Sequence, residues 1–313
     1  MPPKIVSKFM LGLAESLMKT RDVEESTATN YIKILYNLNH GQIFNNLGFL
    51  KNRDGIMALL KTYSESTQKS TLGTIVAVLT PYKEKAAYKS IYHFYFERMS
   101  DASKMAREAD TTEKSEKQKA NWLSWADVIA KRDEVAKKLP NKPKMLTTAM
   151  WQDILSHLIL SLYTYVPPRR NMDYQNLYVV KKWNDKMDKE RNYYDLATHK
   201  LIFNKYKTSK AYGQQDVDVP EQLREVLASF IAIHPDKKKP EYRLLVLQDG
   251  TPLASINSIT RILNKAFGKQ IGSSMLRHIY LSDKYKMDID EMKKDADAMG
   301  HNLSTQRDYI KMD

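Results

Sequence analysis

The chain has no cysteine among its 313 residues. Disulfide staples, thiolate zinc sites and cysteine nucleophiles are therefore excluded, and the composition fits a reducing compartment. Glycine (10) and proline (11) are scarce, which excludes collagen-like and low-complexity classes. No apolar run reaches the roughly 18–20 residues of a membrane span. Phe9-Met10-Leu11-Gly12-Leu13-Ala14 is cut by Glu15 and suits one face of a short helix rather than a signal-peptide core. The expectation is a soluble, intracellular protein with no membrane partner. A Gly-Lys-Ser/Thr phosphate loop is also missing, so an NTPase is not expected. None of His40, His93, His157, His199, His234, His278 and His301 pairs with another His at i, i+4, and no acidic cluster has the spacing of a calcium loop. Scattered carboxylates meeting in space for magnesium-dependent strand transfer stay open as an alternative.

Apolar residues make up 42% of the chain and aromatics 10%, too much core material for a solvated coil. The length suggests one or two domains. Fifty Lys+Arg against 37 Asp+Glu leave a net charge of +13, which favours a polyanionic partner, nucleic acid ahead of an acidic membrane surface.

Hydrophobic spacing predicts a helical first part. Tyr31, Ile32, Leu35, Tyr36 and Leu38 recur at helical intervals, and further helices are expected at Phe49–Tyr63, Thr67–Leu79 and Lys83–Glu108. The stretch 110–119 has no apolar residue and reads as an exposed connection or frayed helix extension, followed by a helix at Trp122–Lys138. Pro140 and Pro143 stop that helix, and the domain boundary is placed there: 1–139 as a helical domain, 140–144 as linker, 145–313 as a second domain. The second domain opens with an apolar helix, Thr148–Tyr163, ending at Val166-Pro167-Pro168. Strands are expected at Asn176–Trp183, Lys200–Tyr206 and Gln215–Val219, then helices at Glu221–Ile233, Ser255–Phe267, Ser274–Tyr285 and Asp288–Met299. The fold class is mainly α with a small antiparallel β-sheet, in a two-lobed arrangement of a helical domain and an α+β domain.

Four features of the second half carry chemistry together and little alone. Arg169-Arg170, with Asp173 close behind, suits bidentate phosphate contacts, although such a pair is commonly a solvated helix end. Lys207 stands at a turn between two expected strands, where a long amine can reach across a groove; most lysines are simply surface. Ser274, Arg277 and His278 begin a helix, and Arg277-His278 could equally form surface salt bridges. Gly300-His301 precedes Tyr309, and the glycine could be an ordinary helix stop.

In this order the residues resemble the tyrosine recombinase, or phage-integrase, family, in a form similar to integrases of viruses and mobile elements. The family pattern is an Arg with an acidic residue three positions on, a Lys in a β-hairpin, His-x-x-Arg, then Gly-His and a Tyr nucleophile. Here it is matched by Arg170 with Asp173, Lys207, Arg277, Gly300-His301 and Tyr309. The resemblance covers about 145–313, and the first part resembles the family's core-binding domain more weakly. Three departures stand out. Ser274 occupies the usual His position, so one hydrogen-bonding or proton-transfer role is altered. The interval from His301 to Tyr309 is one residue short of the common form. Only Ile310–Asp313 follow Tyr309, so a tail docking on a neighbouring subunit is expected to be absent or very short.

The resemblance implies strand cleavage and rejoining on double-stranded DNA through a 3′-phosphotyrosyl intermediate, by a homo-tetramer on paired sites, with no cofactor, metal or ATP. Tyr309 would be the nucleophile, Arg170 and Arg277 the phosphate ligands, Lys207 the acid for the leaving 5′-oxygen, and His301 a phosphate or proton partner. Arg169, Asp173 and His278 would support them. Arg170 is preferred to Arg169 because Asp173 lies three residues beyond it, where its carboxylate would orient the guanidinium. Two alternatives remain: DNA relaxation of the type IB topoisomerase kind, and a DNA-binding protein that has lost catalysis.

Overall fold

The computed structural model describes residues 7–108, 114–139 and 145–299. The chain divides into two compact units, Met1–Glu113 and Lys114–Asp313. Among the described residues of the first unit five α-helices follow one another: α1 (Lys8–Arg21), α2 (Glu25–Leu38), α3 (Arg53–Lys61), α4 (Glu65–Leu79) and α5 (Ala86–Glu108). Ser7 caps α1, and Ser64 caps α4 by accepting from the Thr67 amide. From Thr74 to Leu79 every residue of α4 is buried, so this helix is surrounded by its neighbours. Leu35, Leu50, Leu60, Ile91 and Tyr95 close round it, and Tyr95 Oη donates to the Leu50 carbonyl at 3.0 Å.

The second unit begins earlier than the prolines suggest. Helices α6 (Glu116–Asn121) and α7 (Trp125–Lys137) belong to it. Val128 of α7 is wholly buried in the same core as Trp151, Leu155 and Leu158, with Trp122, Trp125 and Val135 packed alongside. The boundary expected at 140–144 is thus displaced to 113/114, because shared burial outweighs the helix-breaking signal of two prolines; residues 140–144 themselves lie outside those described. Ser115 and Ser124 each form a capping box, which explains why the polar stretch before Trp122 still yields a helix.

Helix α8 (Thr148–Thr164) crosses the core, with Trp151 Nε1 donating to the Val246 carbonyl at 3.1 Å. After a short helix, α9 (Asn171–Gln175), come β1 (Leu177–Val180), β2 (Asn192–Asp195) and β3 (Lys200–Phe203). One-turn α10 (Ser209–Tyr212) leads to β4 (Gln215–Asp218), then α11 (Glu221–Ile233), β5 (Glu241–Arg243), α12 (Ile256–Phe267), α13 (Ser273–Lys284) and α14 (Lys286–Ala298). The sheet order is β4-β3-β2-β1-β5. It is mixed, not antiparallel as expected: β1 and β2 run parallel, with Leu177 opposite Asn192, while the other pairs are antiparallel. The connection 181–191 is long enough to bring the chain back to the starting end of β1, and parallel neighbours need such a crossover of roughly a dozen residues. Among the described residues, no helix is long and apolar enough to cross a membrane.

Two histidines of this unit are held below the ordinary imidazole pKa. For His234, against Phe230 and Tyr242, the cause is burial; for His157 it is burial first and the Arg132 charge next. His234 Nδ1 accepts from the Asp236 amide at 3.0 Å, so the neutral ring carries its proton on Nε2. A base whose folded pKa is depressed takes up its proton on unfolding, so its stabilisation is full above about pH 6.5 and falls away as pH drops toward the folded value. The urea midpoint is expected to fall between pH 7.5 and 5.5, with a shallower slope in His234→Asn. An unchanged slope would remove His234 from the account.

Candidate active site

Helix α8 ends where Val166 and Pro167 each precede a proline, which disfavours helical backbone at both positions. The chain is extended at Arg170 (φ −75°, ψ 152°) before α9 begins. The residues on either side of Arg170 are tied down. Asn171 is buried, its Oδ1 accepting from Tyr163 Oη at 2.7 Å and its Nδ2 donating to Thr260 Oγ1 at 2.8 Å. Arg169 donates through Nε to Asp173 Oδ2 at 3.0 Å and through Nη1 to Gln215 Oε1 at 2.9 Å. Its guanidinium lies 3.9 Å from the Phe203 ring centroid and 5.0 Å from that of Tyr206. Arg170 therefore sits on backbone that has little freedom to move.

The carboxylate expected to hold Arg170 holds Arg169 instead. Asp173 is 2% exposed, and burial raises its pKa against the lowering charge and hydrogen bond of Arg169. Its Oδ1 has no hydrogen-bond partner among the described residues. In a continuous helix the i, i+3 spacing would set Asp173 beside Arg170, but the extended backbone before α9 puts Arg169 there.

Arg277 reaches the same place from another element. It lies on α13, which Leu276 and Ile279 anchor in the core. Its Nε donates to the Ser273 carbonyl at 3.4 Å. Burial, and then the nearby Arg170 charge, pull its pKa below the ordinary arginine value. Among the described residues neither Arg170 nor Arg277 makes an ion pair. Together with Pro168, Arg169, Asp173, Tyr206, Thr208, Tyr212 and Gln215 they line a cavity of about 230 Å³. Three guanidinium groups and one carboxylate leave it positive, and an anion entering it would relieve the repulsion between Arg170 and Arg277.

Of the residues singled out from sequence, Arg169, Arg170, Asp173 and Arg277 come together here. Lys207 is exposed in the turn between β3 and α10, next to Thr208 of the cavity wall. Ser274 and His278 are exposed on α13 on either side of Arg277. Gly300, His301 and Tyr309 lie outside the described residues. Tyr206, Tyr212 and Gln215 escaped the sequence reading; no motif marks them, and the return of β4 beside β3 brings them to the arginines. Among the described residues no group of three or more His, Asp or Glu is placed to hold a metal ion. Compared with known proteins, the chain matches no family model and no curated protein.

Proposed function

We propose that the protein is a DNA strand transferase of the tyrosine-recombinase type, acting as a site-specific recombinase or integrase. The observation that carries this reading is the meeting of Arg170 and Arg277, remote in sequence, in one positive cavity beside the turn that bears Lys207. A net charge of +13 supports a polyanionic substrate whose affinity falls with salt.

In the proposed reaction Arg170 and Arg277 bind the non-bridging oxygens of a DNA phosphodiester and stabilise the charge of the pentavalent transition state. The Tyr309 oxygen forms a bond to phosphorus, and its proton passes to His301 or solvent. The bond from phosphorus to the 5′-oxygen breaks, and the leaving oxygen takes a proton from the Lys207 ammonium. The product is a 3′-phosphotyrosyl ester and a free 5′-hydroxyl. The ester preserves the bond energy, so a hydroxyl from another strand completes the transfer without ATP. A phenol with an ordinary pKa near 10 is mostly protonated at neutral pH, which makes a proton acceptor or strong charge stabilisation necessary.

The test is covalent trapping. With EDTA present and nicked duplexes carrying candidate element ends, the protein is expected to form an SDS-resistant adduct that Tyr309→Phe abolishes. Tight DNA binding with no adduct would overturn the catalytic reading. An adduct accompanied by supercoil relaxation but no exchange between two sites would narrow it to a topoisomerase.

A further inference from the structure

The segment carrying Lys207 leaves the sheet at the end of β3 and rejoins it at β4. The β3–β4 pairing holds the two ends of the segment at Phe203 and Gln215, whereas the β2–β3 register stops short of it, at Tyr193 and Ile202. One step beyond the last rung, the Asn192 side chain takes over. It is wholly buried. Its Oδ1 accepts from the Lys205 amide at 2.9 Å, and its Nδ2 donates to the Lys205 carbonyl at 3.0 Å. The same Nδ2 donates to the Asp173 carbonyl at 2.8 Å. One carboxamide thus joins the start of the Lys207 turn to the short helix that follows Arg170. At the base of the turn, Tyr206 Oη donates to the Gly213 carbonyl at 2.8 Å.

A buried amide of this kind is costly unless its donors and acceptor are all used, and here they are. A β-branched apolar residue would suit a buried strand position as well, so sheet formation alone does not call for asparagine. Asp195, the other buried polar residue of β2, is satisfied locally by the Ala197 amide and the Thr198 hydroxyl. Asn192 alone on that strand spends its side chain on two distant backbone segments, and these carry the residues proposed to act on one phosphate.

We infer that Asn192 is a positioning residue for leaving-group protonation: it sets the Lys207 turn against the arginine end of the cavity. The inference rests on the proposed strand-transfer reaction. With Asn192 altered, phosphate binding by Arg170 and Arg277 and attack by Tyr309 persist. What slows is departure of the 5′-oxygen, which needs its proton as the bond to phosphorus breaks.

Sulfur in place of the bridging 5′-oxygen isolates this step, since a thiolate leaves without a proton. Asn192→Ala and Asn192→Asp, the latter keeping the acceptor but losing both donors, are expected to slow single-turnover adduct formation on the ordinary duplex by about 10²-fold. On the sulfur-bridged duplex the loss is expected to shrink to less than about threefold, as it does for Lys207→Ala, if each step is limited by the same acid. Equal losses on the two substrates, or no loss on either, overturn the inference. Tyr206→Phe, which removes only the bond across the base of the turn, carries the same comparison where an Asn192 variant does not fold; a smaller loss, again rescued by sulfur, is expected. Failure of the wild-type protein to form an adduct on either duplex is a different result, since it overturns the strand-transfer reading itself.

Discussion

Arg170→Ala and Arg277→Ala are each expected to slow covalent adduct formation by about 10²–10³-fold, some 2.7–4 kcal/mol of barrier, the cost of removing one preorganised donor from a developing negative charge. Both side chains line the same cavity, and neither makes an ion pair among the described residues. Their removal therefore strands no buried carboxylate. Each variant removes the repulsion between the two guanidinium groups but also a favourable charge near Asp173, so folding stability should stay about level. Single-turnover kinetics beside urea unfolding separate the two effects. A rate loss under tenfold, or one that tracks a drop in the urea midpoint, would remove that arginine from transition-state binding. Lysine should rescue poorly at either position, because a point charge does not reproduce two parallel N–H donors. The double variant should fall well short of the product of the two single losses if both arginines grip one phosphate.

Much of the helical framework was legible in the sequence. The spacing of Leu72, Ile75, Val76 and Leu79 foretells α4, and the apolar face of 148–163 foretells α8. The two strands that escaped notice, β2 and β5, did so for different reasons. In β2 all four residues are buried, two of them polar and bonded at the strand ends, so period-two alternation has no exposed face to register. β5 is only the three residues Glu241, Tyr242 and Arg243, too short a run for its one buried side chain to mark a strand. Without β2, the parallel pairing could not be foreseen. At the site, residue types and order pointed to Arg170 and Arg277, but not to the partner of Asp173. That depends on where the helix starts, and spacing along the chain reads as spacing in space only within one regular element. Gln215 and Asn192 have no signature at all; their roles come from the sheet register, which is a property of the whole unit.

Arg169→Met tests the division of labour between the adjacent arginines, and its expected effect is on folding rather than chemistry. Arg169 and Asp173 form a largely buried pair, with side chains 17% and 3% exposed. Removing one member of such a pair typically costs about 3–5 kcal/mol, because the remaining charge is left in a poor solvent. The pH dependence should change with it. Burial already raises the Asp173 pKa, and the charge and hydrogen bond of Arg169 are the main influences that restrain it. Without them the folded pKa rises further. A carboxyl whose folded pKa exceeds its unfolded value of about 3.9 contributes fully below that value and loses its contribution as pH rises through the folded pKa. The variant should therefore weaken from about pH 4 upward more steeply than the wild type, as read from urea midpoints across that range. Adding Asp173→Asn removes the titrating group and should flatten the slope while recovering part of the midpoint. Arg169→Lys should behave almost as badly as methionine, since one ammonium cannot lie flat between Phe203 and Tyr206 while donating in two directions to Asp173 and Gln215. A stable, pH-insensitive Arg169→Met variant with a 10²-fold slower adduct rate would exchange the roles of the two arginines and make Arg169 the phosphate ligand.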